Sequence, residues 1–140
     1  MNREVIIKLQ KFAEELKSML GDDLVAVIIF GSVLKSKNFD DVDVLVITKN
    51  LQKHIEKIRG IRLKYRKEVG RFIDLNIISP ENFDKPIVYT AVAFGEILYS
   101  SSEWNALKSK IKQIAKERNL EYIEKEGKRV KRWKLAEVIG

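Results

Sequence analysis

The run Leu24-Val-Ala-Val-Ile-Ile-Phe30 constrains this chain more than any other feature. Seven consecutive apolar residues, bounded by Asp23 and Gly31, carry no polar alternation. Such a strand is stable only when both of its faces are covered, so a central strand with helices above and below is predicted. The run is the longest apolar stretch and is far too short to span a bilayer.

The flanking patterns supply the covering elements. Val5, Ile6, Leu9, Phe12, Leu16, Met19 and Leu20 form a helical stripe that Gly21 can close. Asp41-Val-Asp-Val-Leu-Val-Ile-Thr48 reads as a second strand, with 41 and 43 on one face and 42, 44 and 46 on the other. Asp40 then falls at the strand entrance, as a turn or loop residue. Leu51, Ile55, Ile58, Ile61, Tyr65 and Val69 predict a helix closed by Gly70. Phe72–Ile78 alternates as a third strand with Asp74 at its centre. Ser79-Pro80 predicts a helical turn, Pro86 opens a short helix, and Gly95–Tyr99 is a fourth strand. Ser100 with Glu103 reads as a capping box for a helix running to Arg118. From Asn119 onward the pattern suits either a helix or strands around Gly127. The fold class expected is α/β (α+β), a small mixed sheet flanked by helices, with residues 1–100 as its main body and 101–140 as a helical and basic extension of the same domain.

Composition narrows the chemistry. The chain has 140 residues, no cysteine and one histidine, His54. Thiol nucleophiles, disulfide scaffolds and cysteine zinc sites are thereby excluded. His54 reads as a surface residue outside any site. Trp104 and Trp133 read as packing anchors. The formal net charge of +7 favours polyanionic partners. No apolar leader precedes the first helix, and a cytoplasmic protein is expected.

The acidic residues carry the argument about function. Asp41 and Asp43 on one strand face stand about 6.5–7 Å apart at their Cα atoms, close enough for their carboxylates to converge on a divalent ion. Side-by-side like charges cost stability unless a cation offsets them, so a purely structural strand has reason to avoid them. With Asp74 on another strand, the set is a hard-oxygen site suited to Mg2+, with Mn2+ as the alternative. Gly31 lets backbone approach phosphate oxygens, the Ser32 hydroxyl can donate to them, and a short helix from Val33 would turn its N-terminus toward the anion.

Phe30-Gly31-Ser32, eight residues, Asp41-Val-Asp43-Val and then Asp74 together resemble the nucleotidyltransferase superfamily of DNA polymerase beta, over about residues 22 to 100. The chain's size resembles the minimal nucleotidyltransferase branch. That resemblance implies a nucleoside-triphosphate donor, with ATP expected, two magnesium ions and transfer of a nucleoside monophosphate to a hydroxyl on a protein or other macromolecule. It implies that Gly31 and Ser32 hold the triphosphate and that Asp41 and Asp43 bridge the metals. Asp74 would complete the catalytic metal and help deprotonate the acceptor. Some members are antitoxins that adenylylate a HEPN-domain toxin, so a helical HEPN-type partner is an expectation too. The spacer from Ser32 to Asp41 is shorter than is common in that group, and Val33-Leu34 follows Gly-Ser where a basic or small residue often stands. Lys35 or Lys37 is therefore assigned the phosphate-directed charge.

The rival reading is a catalytically weak nucleotide-binding or partner-binding module. Its basic tail, Lys125, Lys128, Arg129, Lys131, Arg132 and Lys134 around Trp133, would dock on RNA or an acidic partner. With so little room for an acceptor domain, specificity is expected from a second chain or a homodimer interface.

Overall fold

The structure, a computed structural model, describes residues 3–36 and 38–140. Helix α1 (Arg3–Leu20) leads into strand β1 (Leu24–Phe30), a single 3-10 turn (Ser32–Leu34) and strand β2 (Asp41–Thr48). Helix α2 (Leu51–Val69) returns the chain to strand β3 (Phe72–Ile78), after which come helix α3 (Pro86–Phe94), strand β4 (Glu96–Ser100) and helix α4 (Trp104–Glu117). The chain ends in a hairpin, β5 (Glu121–Glu126) and β6 (Arg129–Lys134), and a short helix α5 (Leu135–Val138).

The main sheet has the order β3-β2-β1-β4. β1 runs antiparallel to both β2 and β4, while β3 lies parallel to β2, so the sheet is mixed. All seven residues of β1 are buried, as its unbroken apolar run requires. On one face, Val27 and Ile29 of β1 and Val42, Val44 and Val46 of β2 pack with Leu9, Phe12 and Leu16 of α1 and Ile58, Ile61 and Tyr65 of α2. On the other, Ile28, Phe30, Leu45 and Ile47 meet Val88 and Ala91 of α3, Trp104 and Ile111 of α4, and Leu135 of α5. The α/β fold expected from the sequence, a small mixed sheet flanked by helices, is the one observed.

Several local expectations are corrected. Strand β4 runs one residue further than read, so Ser100 stays in the sheet and cannot cap α4; Ser101 Oγ instead accepts from the Glu103 backbone N–H at 3.3 Å. The chain beyond Asn119, left open between helix and strands, forms the hairpin, turning at Gly127 with φ +62°. Helices in the 101–140 extension are therefore confined to α4 and α5. His54 is not a surface residue. It is 4% exposed, and its Nε2 lies 2.8 Å from Asp23 Oδ2. Asp23 also accepts from Asn50 Nδ2, and these bonds, His54 first, hold its carboxyl below the usual range. The three residues tie the first turn of α2 to the loop before β1.

Beneath the extension, Arg118 donates to both Asp84 oxygens at 2.7 and 2.6 Å, and Tyr89 Oη donates to Asp84 at 2.8 Å. Burial and that bond push the Tyr89 hydroxyl up to about 12. α3 is thereby fixed to the end of α4. The tip of α3 carries the hairpin, because Phe94 meets Tyr122 and Trp133 at ring-centroid distances of 5.0 and 5.9 Å. A two-stranded hairpin is marginal alone, so this aromatic cluster is what anchors it.

Candidate active site

Strand pairing brings together residues that lie far apart in the sequence. Asp43 stands opposite Phe30 in β1 and opposite Asp74 in β3, while Asp41 pairs with Phe72 at the sheet's rim. Because pairing residues share a face, the Asp43 and Asp74 side chains emerge together on the face that α3 and α4 cover further along. Asp41 and Asp74 are exposed and Asp43 is half-buried. Burial first, then the neighbouring charges of Asp74 and Asp41, raises the Asp43 pKa above the usual carboxylate value. A hydrogen bond with Asp74 acts in the same direction. Two carboxyl groups competing for a proton in this way form a site that a cation would relieve.

Gly31 sits against this pair. Its backbone, at φ +86° and ψ −155°, lies in a region reserved for glycine. A β-carbon there would overlap Asp43 Oδ2 and approach Cγ to 3.3 Å. Glycine is therefore required twice, once for the turn out of β1 and once for the room that Asp43 occupies. Ser32 follows, exposed beside the rim. Its backbone carbonyl accepts from the Lys35 and Ser36 amides at 3.0 and 2.9 Å, which closes the turn tightly. That turn is a three-residue 3-10 element, so the anion-directed helix expected from Val33 is not formed, and no helix dipole is available there. Close backbone approach at Gly31 and the Ser32 hydroxyl remain. Lys35 is exposed at the end of the turn. Lys37, the other candidate for the phosphate-directed charge, lies outside the described residues.

The donor set at the carboxylates is all oxygen, which fits a hard divalent cation. Among the described residues no group of three or more acidic or histidine side chains that could hold a metal ion is formed. An ion held by this edge would draw its remaining ligands from water and substrate phosphates, which is the habit of magnesium. Asp43 and Asp74 are the residues that could hold it, with Asp41 as a third candidate.

Two features were not read from the sequence. One is the charge on α2, which carries seven Lys and Arg against two Glu. It was legible from composition by segment. The other is how the tail's charge, diluted along the chain by Glu121, Glu124 and Glu126, is paired in space. In the hairpin Glu121 pairs with Lys134, Glu124 with Lys131 and Glu126 with Arg129, so each strand offsets the other's charge. The linear cluster of cations is thus interleaved with carboxylates in space.

The comparisons with known proteins agree with this geometry. The family model described as Polymerase beta, Nucleotidyltransferase matches residues 9–104, from α1 to the start of α4. The chain belongs to this nucleotidyltransferase family, as the resemblance carried by Gly31, Ser32, Asp41, Asp43 and Asp74 implied. A Methanocaldococcus jannaschii protein named "Putative protein adenylyltransferase MJ1305" is 30% identical, with 94% of each chain covered. Among solved structures, the toxin-antitoxin MntA-HepT gives a TM-score of 0.51 at 12% identity, covering 79% of this chain and 86% of that one. A Shewanella oneidensis structure gives 0.52 at 10% identity, covering 85% and 90%. These likenesses show the fold. No helix among the described residues is long and apolar enough to cross a membrane.

Proposed function

We propose that this nucleotidyltransferase moves AMP from ATP to a hydroxyl on a protein. The observation that carries the reading is the parallel register that sets Asp43 beside Asp74, with Gly31 leaving room for the carboxylate pair. The relative named as a protein adenylyltransferase supports adenylate as the transferred group and protein as the acceptor. The fold shared with the MntA-HepT toxin-antitoxin structure supports a helical toxin of the HEPN type as the partner acted upon.

In this reading the triphosphate lies over the Gly31-Ser32 turn. Gly31 admits the phosphate chain close to backbone, and the Ser32 hydroxyl donates a hydrogen bond to it. Lys35 adds positive charge at the rim. Asp41, Asp43 and Asp74 would hold two magnesium ions, or manganese in their place. When bound, these ions neutralise charge on the reacting phosphate and the departing pyrophosphate. The acceptor oxygen forms a bond to the α-phosphorus as the bond from that phosphorus to the β-phosphate's bridging oxygen breaks. Asp74, the exposed member of the pair, takes the acceptor proton, and pyrophosphate leaves with the bonding electrons. Asp43 must be ionised to serve as a ligand, and a bound cation would favour that form against the burial and neighbouring carboxylates that raise its pKa.

The test uses ATP labelled at the α- or γ-phosphate, magnesium, cell extract and the purified protein. Label passing to protein from the α position alone, and lost in Asp41→Asn/Asp43→Asn, is the expected result. Label passing from the γ position, or undiminished in the double variant, would overturn the reading.

A further inference from the structure

The two free edges of the main sheet differ. β4 has five residues, and its pairing with β1 is broken by a register shift between Val27 and Ile28. Natural sheets blunt exposed edges with short strands and bulges of this kind. β3 is longer, seven residues, keeps an unbroken register with β2 from Phe72 to Ile78, and contains no Lys, Arg or Pro. It is an edge able to accept another strand, and Asp74 is one of its residues.

A groove of 330 Å³ runs along this edge, lined by Ile55, Arg59 and Arg62 of α2 and Leu75, Asn76 and Ile77 of β3. Arg62 Nε is buried there with no hydrogen-bond partner. Buried donors are nearly always paired, so an orphaned guanidinium nitrogen in the groove marks a place where a ligand supplies an acceptor. Toward the Asp74 end, Arg62 and Arg66 stack on the exposed Phe72 ring at 5.5 and 5.3 Å. Neither guanidinium has a carboxylate partner among the described residues.

We infer that the β3 edge and its arginine-lined groove dock the acceptor, as an extended acidic segment of the partner protein that adds a strand beside β3 and carries its hydroxyl residue next to Asp74. The inference rests on the proposed transfer and names what that transfer acts on. Strand addition satisfies the open backbone ladder, while alternate side chains reach the groove. Carboxylates on the segment pair with Arg62 and Arg66, and one of these oxygens takes the orphaned Arg62 donor. A protein fits better than RNA, because the groove interleaves Ile55, Leu75 and Ile77 with its polar groups and the edge is a peptide ladder. Binding the segment along β3 also fixes its hydroxyl near a catalytic carboxylate, which brings the reacting groups together.

The test uses a short fluorescent peptide of alternating glutamate and valine around one tyrosine, titrated against the full chain by fluorescence anisotropy. Two further copies carry N-methyl groups on the odd or on the even backbone amides, and a fourth replaces glutamate by lysine. Expected are saturable binding of the parent, weakening by about tenfold in Arg62→Glu/Arg66→Glu, and no binding of the lysine peptide. One N-methyl copy loses binding and the other keeps it, since a paired strand turns only alternate amides toward its neighbour. Arg62→Gln/Arg66→Gln, with its melting curve, serves where charge reversal unfolds the protein, and is expected to weaken binding in the same direction. Equal binding of both N-methyl copies, or tighter binding of single-stranded RNA than of the parent peptide, would overturn the inference. Asp43→Asn protein that binds the peptide but transfers nothing supports the docking edge, whatever the fate of the chemistry. Undiminished transfer to extract proteins by Arg62→Glu/Arg66→Glu refutes the edge and leaves the chemistry standing.

Discussion

Replacing Gly31 by alanine tests how this site is built. The backbone there, at φ +86° and ψ −155°, is open to glycine alone, and forcing alanine into it costs about 1–3 kcal/mol. The new β-carbon also overlaps Asp43 Oδ2, and restoring ordinary contact moves that carboxylate by about 1 Å, a displacement that can cost about 100-fold in rate when it falls on a reacting group. Gly31→Ala should therefore lower the melting temperature by about 3–10 °C and cut α-phosphate transfer by about 100-fold. A double-mutant cycle separates the two effects. In an Asp43→Ala background the overlapped oxygen is gone, so adding Gly31→Ala should cost the backbone part alone, leaving a coupling of at least about 0.5 kcal/mol. The assays are calorimetric melts of all four proteins and label transfer by those that retain Asp43. Full stability and full rate in Gly31→Ala, or purely additive melts in the cycle, would refute the reasoning.

Asp43→Asn should abolish transfer yet melt higher than the wild type at pH 8. The raised pKa of Asp43 means that its protonated form suits the fold; this stabilisation is present in acid and is lost as pH rises through that pKa, so the gap between the two proteins should narrow toward pH 4. A variant that melts lower at pH 8 would contradict the assigned repulsion. His54→Ala should destabilise by about 2–3 kcal/mol at pH 7 without changing the transfer rate, because its side chain is buried against Asp23 far from the carboxylate pair. Part of that loss should fade as pH falls through the depressed pKa of Asp23, where the native bond is lost as well. Trp133→Ala should raise hydrogen exchange across 121–134 while β1 and β2 stay protected, since the hairpin is held by Phe94, Tyr122 and Trp133. Uniform protection in that variant would refute the anchoring role.

Most of the fold was legible because its elements are written in local periodicity. The buried run of β1, the alternation in β2 and β3, and the stripe of α2 closed by Gly70 each fix an element without help from the rest of the chain. The carboxylate face was legible for the same reason, since Asp41 and Asp43 share a parity and Asp74 lies in mid-strand. What local pattern does not carry is partnership. His54 looked exposed because the acid that buries it, Asp23, precedes it by 31 residues. The glutamates that dilute the basic tail are legible in the sequence, but their pairing with Lys134, Lys131 and Arg129 needs the hairpin register. Three-residue turns such as Ser32–Leu34 fall below any helical period. The asymmetry of the sheet edges appears only once strand order is known.

The central claim is that the edge formed by Gly31, Asp43 and Asp74 transfers a nucleotide. The most direct measurement follows pyrophosphate release and α-phosphate incorporation together, in magnesium, for the wild type and Asp43→Asn. The account predicts pyrophosphate and incorporated label in equal amounts from the wild type and neither from the variant. Release of inorganic phosphate in place of pyrophosphate, or equal rates from both proteins, would contradict it.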